Sequence, residues 1–245
     1  MTDIVIPMGT GSRWNDNELR YTLRGIEKYL SGYRNIYIIG HKPEWLQNVT
    51  HIPFPDYSRL ILKEKNICDK LREACRCNDI SDTFLMFNDD FFLLKRMYAS
   101  SVPYYYDGTL RVKYKKLNEF NPYKKTIRNT LHYLQNNFMN TEHQLNYEVH
   151  GPILFNKDLF KEVVSPCDWI NNPHGFGMRA LYGNIINVQG CSISDLKINE
   201  PLPITDLHDM KFSGRSFFSI GNKGLNTNMK EFLQYLYPVP SIFEQ

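Results

Sequence analysis

Two adjacent carboxylates, Asp89 and Asp90, stand inside the apolar run TFLMFNDDFFLL, residues 83–94. Phe, Leu and Met on both sides demand burial. Two acids about 5 Å apart repel by roughly 3 kcal/mol at an effective dielectric of about 20. Desolvation adds to that cost unless the charges are paired. A chain tolerates such a pair where a buried strand ends at a site and a cation offsets the charge. Mg²⁺ or Mn²⁺ takes oxygen ligands and keeps positions open for phosphate. Asp89 and Asp90 are therefore candidate metal ligands, with Asn88 beside them as a further site residue or turn former.

The segments around this pair point to one architecture. DIVIPMG (3–9) reads as a buried strand ending in a Gly-rich turn. Leu19, Leu23, Ile26 and Leu30 then recur at helical spacing, with Asn15 or Asp16 placed to cap the start and Gly32 to end it. NIYIIGH (35–41) is a second strand, and VTHIPFPD (49–56) a short third. Ile67, Leu71, Ala74 and Cys75 share a face of a second helix, and the acidic strand follows. This order predicts an α/β fold, a mostly parallel sheet with helices on both faces. Ligands bind such sheets at the carboxyl ends of strands, where Gly9–Ser12, Gly40–His41 and Asn88–Asp90 converge.

The second half is less regular. Residues 103–125, rich in Tyr and Lys, read as a loop or an acceptor-side insertion, followed by helices over KKTIRNTLHYLQNNF, from about Asn156, and over NMKEFLQYL. No linker or repeat interrupts the chain. We expect a single domain over 1–245, with a donor-binding half (1–100) and an acceptor-side half (101–245).

A net charge of +3 is modest for 245 residues and argues against a dedicated non-specific nucleic-acid binder. Five cysteines without a CxxC pair suggest neither a disulfide framework nor a zinc knuckle. The opening MTDIVIPMGTG has no basic-then-apolar leader, and no apolar run is long enough for a membrane span. The expected compartment is the cytoplasm.

Further candidates come from position. Pro7, Gly9 and Gly11 lie at the end of the first strand, but GTGSRW departs from a dinucleotide fingerprint because Trp14 stands where its third glycine belongs. Arg20 and Lys70, with Arg24, Lys65 and Arg72, are cations on the two helices, suited to a diphosphate or simply solvated. His150 in YEVHGP is a candidate metal ligand or base, with Glu148 as an alternative base. His174 is a candidate for lining an acceptor pocket, and His208 with Asp209 forms a weaker cluster.

NDNELRYTLRGIEKYLSGYRNIYIIG and FLMFNDDFFL together resemble core motifs of the Stealth-type sugar-phosphate transferases. YEVHGPILFNKDLF resembles that family's His-Pro segment, and FFSIGN with FLQYLYPVPSIFE its closing motif. The family is similar in its core to GT-A glycosyltransferases. The resemblance implies Mn²⁺ or Mg²⁺ on Asp89 and Asp90, a nucleotide-sugar donor (a UDP-sugar first) near Asn17, Glu18 and Arg20, and His150 at the reaction centre. It implies transfer of a sugar or sugar-1-phosphate to a glycan hydroxyl. Stealth chains open with a Trp-Val-Asp-Gly-Ser-Asp type motif, whereas IPMGTGSRW runs almost directly into the helix here, so transfer of the sugar itself stays open. Three rivals stand beside this reading: transfer to a modified base of DNA, suggested by the basic YKKLNEFNPYKK, a carbohydrate-binding module without turnover, and a nuclease or phosphatase using Asp3 and Asp56 as extra acids.

Overall fold

A computed structural model describes residues 1–57, 62–138, 144–212 and 214–245, with residues 210–212 by their backbone alone. In chain order the first half contains β1 (Thr2–Met8), α1 (Asn17–Tyr29), β2 (Leu30–Ser31), β3 (Tyr33–Gly40), β4 (Thr50–Ile52), α2 (Lys63–Arg76), β5 (Thr83–Met86), β6 (Phe91–Leu93) and β7 (Met97–Tyr98). The second contains β8 (Tyr104–Tyr106), α3 (Leu110–Lys116), α4 (Pro122–Asn137), β9 (Ile153–Asn156), α5 (Lys157–Val164), α6 (Met178–Ile185), β10 (Gly190–Ser192), β11 (Lys197–Ile198), α7 (Ile204–Phe212), β12 (Phe217–Ile220) and α8 (Thr227–Leu236).

The central sheet runs β4-β3-β1-β5-β9, parallel except for β9, which pairs antiparallel with β5. The fold is thus the expected α/β class with a mostly parallel sheet. Successive residues of a strand face opposite sides, and both sides are covered. Ile4 and Ile6 of β1, Ile36 and Ile38 of β3 and Leu85 of β5 pack with Leu19, Leu23 and Ile26 of α1. Val5, Tyr37, Ile39, Phe84 and Met86 face the other way, against Cys68 and Leu71 of α2, Phe160 of α5 and Leu181 of α6. Two-sided burial explains why β1 and β3 read as continuous apolar runs rather than alternating ones. Beyond them, β6, β11 and β12 form a small sheet that packs with α7 and α8 around Phe92, Phe218 and Phe232.

The acidic run breaks at its acids. β5 ends at Met86 and pairs in the central sheet, while β6 begins at Phe91 and pairs antiparallel with β12. Asn88–Asp90 form the corner between the two sheets. Two other expectations are corrected. Asp16 precedes α1 with φ 56° and caps nothing, because its carboxylate is turned to His41 Nε2 at 3.0 Å. Residues 103–125 are not a loop: they contain β8, α3 and the start of α4. The Thr109 hydroxyl accepts from Val112 N and starts α3, a capping arrangement too short to stand out among the surrounding Tyr and Lys.

Asp3 is fully buried at the amino end of β1, where Arg34 binds both its oxygens and Ser81 N and Asn35 N donate to it. In a parallel sheet that end lies opposite the strand ends where Asn88 sits, so Asp3 belongs to the framework and not to an acid cluster of a nuclease. Among the described residues, no helix is long and apolar enough to cross a membrane.

Candidate active site

A cleft of about 570 Å³ opens beyond the end of β5. Asn88, Glu148, His150 and His174 line it, together with Glu64, Arg179 and Lys197. Asp89 and Asp90 follow the lining residue Asn88 in the chain but do not line the cleft themselves. Lys197 Nζ reaches to 3.9 Å from Asp90 Oδ2, and the Asp89 carbonyl is pinned by the Thr22 hydroxyl of α1 at 2.6 Å.

The acid pair is under electrostatic strain. Burial first, then the charges of Asp90 and Glu18, pushes the Asp89 carboxyl up to about 7. Burial likewise raises Glu18, helped by Asp16 and Asp90, although the Ser12 hydroxyl donates to it at 2.9 Å. Asp90 Oδ1 is buried and has no hydrogen-bond partner among the described residues. A buried carboxylate oxygen left unpartnered is costly. It fits a cation that also takes oxygens from a bound substrate, since Mg²⁺ sites commonly use one or two carboxylates plus phosphate. Among the described residues no group of three or more His, Cys, Asp and Glu side chains is arranged to hold a metal. His150 therefore does not complete a three-ligand set with the two aspartates.

His150 is held instead by Asp195. The Asp195 carboxylate accepts from His150 N at 3.0 Å and faces Nδ1 at 2.6 Å. A carboxylate accepts, so the Nδ1 proton points at Asp195 and Nε2 is left for the cleft. Burial, the largest single influence, would raise the Asp195 carboxyl, but the hydrogen bonds and charge of His150 together hold the group below the usual carboxylate range. Glu148 is engaged on both oxygens, accepting from Ala180 N at 2.9 Å and the Tyr123 hydroxyl at 3.1 Å. Gly177 lets α6 approach it, for a Cβ there would lie 2.7 Å from Glu148 Oε1.

Arg179 is buried at the start of α6 and donates from Nη1 to the carbonyls of Val149 and Gly151 at 2.8 and 2.5 Å. Burial holds its pKa below the ordinary arginine value, against the upward pull of Glu148. It makes no ion pair among the described residues, so its charge is free to meet an anion in the cleft. Burial also lifts Glu64 up to about 7. The folded protein thus favours protonated Glu64: its contribution to stability is full below about pH 4.5 and is lost as pH rises through 7. Glu64→Gln should stabilise the protein by about 3 kcal/mol at pH 8 and by under about 1 kcal/mol at pH 5. Urea unfolding at both pH values checks this, and an equal effect at both would contradict it.

Other sequence candidates lie in different company. Lys70 is buried, with 2% of its side chain exposed, and is bound to Asp56 and to the Met8 carbonyl. Asp56 also accepts from Thr10 N and Oγ1, so this pair ties down the Gly9–Ser12 turn. Pro7 sits in β1 opposite Ile39, Gly9 approaches Asp56, and a Cβ on Gly11 would meet open space. Asn17 donates to the Trp14 carbonyl, and Arg20 pairs with Glu244 and lies over Trp45. Lys65 and Arg72 both pair with Asp69. His208 packs edge-on against Phe232 and Tyr235, among aromatic rings.

Glu64, Arg179, Asp195 and Lys197 join the cleft and its surroundings without being sequence candidates. Arg179 had a usable signal, because in GFGMRALYG it is a lone cation among apolar residues, as the aspartates are lone acids. Asp195, in CSISDLKINE, carries none.

No family model matches the chain. The capsular polysaccharide phosphotransferase WcwK of Streptococcus pneumoniae is 33% identical over 82 residues, 31% of this chain and 24% of that protein. A capsular polysaccharide phosphotransferase of Neisseria meningitidis serogroup B is 33% identical over 89 residues, 33% of this chain and 24% of that protein. The matched stretch spans about a quarter of each relative's length. The galactosyltransferase LgtC, solved in complex with donor and acceptor sugar analogues, superposes over 98% of both chains with a TM-score of 0.48 and 9% identity, a likeness that carries no argument by itself. The resemblance carried by the sequence motifs therefore stands as a similarity, over about a third of this chain, to capsular polysaccharide phosphotransferases.

Proposed function

We propose that this chain is a transferase that moves a glycosyl or sugar-1-phosphate group from a nucleotide-diphosphate sugar to an acceptor hydroxyl of a glycan. The observation that carries this reading is the unpartnered, buried Asp90 Oδ1 beside Asp89, 3.9 Å by its other oxygen from Lys197 of a cleft that is also lined by buried Arg179 and by His150, which Asp195 holds. The similarity to capsular polysaccharide phosphotransferases supports the same chemistry.

In this reading Asp89 and Asp90 would hold Mn²⁺ or Mg²⁺. Such an ion, when bound, supplies Lewis-acid stabilisation of charge on the leaving phosphate. Arg179 and Lys197 place fixed positive charge where a phosphate would lie. Asp195 orients the His150 ring. Nε2 takes the acceptor hydroxyl proton as that oxygen forms the new bond, and the leaving phosphate keeps the electron pair of the old one. Both Glu148 oxygens are already engaged, which favours His150 as the base.

A panel of UDP-sugars tests the proposal: nucleotide release should require protein and rise with Mn²⁺ and with a glycan acceptor. Release from no donor under any condition would leave a binding module in its place. As a positioning residue, Asp195 has its own readout. Asp195→Asn should lower kcat roughly 10- to 100-fold with the donor KM nearly unchanged. A purely structural Asp195 would instead lower the melting temperature and leave kcat of the folded fraction intact.

A further inference from the structure

The protein's positive charge is concentrated in one place. Residues 110–137, which span α3 and α4, hold seven Lys and Arg against Glu119 alone, a net +6. The whole chain is only +3, so all the other residues together are net negative at −3. A groove of about 240 Å³ lies between the two helices, lined by Arg111, Tyr114, Lys115, Arg128, His132 and Gln135. Arg111, Lys115 and Arg128 are exposed and make no ion pair among the described residues. The charge of α4 is felt nearby: burial first, and then Lys125 and Arg128, lowers the His174 pKa. Rings alternate with these cations. Tyr114 and His132 line the groove, and Phe120, in the turn joining the helices, is 93% exposed.

We propose that this α3–α4 groove binds single-stranded nucleic acid. The guanidinium groups of Arg111 and Arg128 and the Lys115 ammonium suit phosphate oxygens spaced along a backbone, while rings between such cations suit unpaired bases. Rings also stack on sugar faces, so an acidic glycan is the rival occupant that the competition below separates from nucleic acid. The groove shares α3 and α4 with the catalytic cleft, whose lining includes Lys113, Leu117 and Tyr123 of the same two helices. A strand held there would lie beside that cleft without replacing the glycan acceptor of the transferase reading. Binding itself does not rest on it.

The test is anisotropy of a fluorescein-labelled 20-nucleotide single-stranded oligodeoxynucleotide, without donor or metal. With three to four phosphate contacts, the association constant should fall roughly 20- to 50-fold between 50 and 200 mM NaCl. The R111E/K115E/R128E variant should weaken binding at 50 mM salt at least about tenfold, with circular dichroism and UDP-sugar turnover unchanged. Should that variant misfold, R111Q/K115Q should still flatten the salt slope. Phe120→Ala should weaken the oligonucleotide several-fold and leave inorganic polyphosphate unaffected. Wild-type affinity in the charge variants overturns the proposal. So does polyphosphate, or a phosphodiester-linked glycan, competing as well as the oligonucleotide at equal charge. Binding without any UDP-sugar turnover would count against the transferase reading alone, and turnover without binding against this one alone.

Discussion

Asp90→Asn should abolish most donor turnover while making the folded protein no less stable, and slightly more so. The activity loss we expect is about 10²–10³-fold with Mn²⁺ and a UDP-sugar, equivalent to roughly 3–4 kcal/mol of transition-state stabilisation. The physical reason is the cost already visible at the corner. Asp89, Asp90 and Glu18 repel one another, and Asp90 Oδ1 has no partner among the described residues. Asparagine removes one of three like charges and supplies a donor, so the resting protein relaxes. Residues kept against the interest of stability are commonly kept for function. The decisive result is the split: turnover down, melting temperature level or up. Full turnover in Asp90→Asn would remove the metal assignment. A large drop in melting temperature would mean that the acid serves the fold instead.

Glu244→Ala should be among the most destabilising single substitutions in the chain, at about 3–5 kcal/mol. Only 3% of the Glu244 side chain is exposed. Its carboxylate accepts from Arg24 Nε and Nη2 at 2.7 and 2.8 Å, from Arg20 Nη1 at 3.0 Å and from Ser241 N and Oγ at 2.9 and 3.1 Å. Removing it strands two largely buried guanidinium groups, packed over Trp45 and Tyr21, without a counter-charge. For a chain of this size such a loss lowers the melting temperature by roughly 10 °C. The pH dependence follows from the same contacts. Burial alone would raise the Glu244 carboxyl, but the Arg24 hydrogen bonds, with Ser241 and Arg20, hold it at about 2. A depressed carboxylate contributes stability above its unfolded value near 4.5, and that contribution is lost as pH falls toward 2. The gap between wild type and Glu244→Ala should therefore narrow steadily between pH 5 and pH 2 in denaturant titrations. A change below 1 kcal/mol at pH 7 would show the arginines satisfied elsewhere.

These two residues also mark the limit of what could be read from the chain. Asp90 was legible because its signal is local: an acid among Phe and Leu contradicts its neighbours within a few positions. Glu244 was not, because nothing near SIFEQ reveals that its partners lie more than 200 residues earlier. Arg20 illustrates the same gap from the other side, since its helix and face were evident and its engagement with Glu244 was not. Lys70 too reads as a helix cation, but Asp56 and the Met8 carbonyl claim it.

The sequence by itself determined the sheet and its covering helices. Burial periodicity is written within single elements: β1 and β3 as apolar runs, α1 and α2 as apolar faces, and the acid pair as a break in a strand. The tertiary structure alone decided which polar groups share the cleft. His150 acquires Asp195, Arg179 joins the wall, and Asn88 meets them only once β5, β9, α6 and the segment before β11 are packed together. A hydrophobic pattern depends on which face of one element is wet, and neighbours in the chain record that. Pairing of charges falls off over a few ångströms through space, and those distances exist only after segments far apart in sequence have been brought side by side.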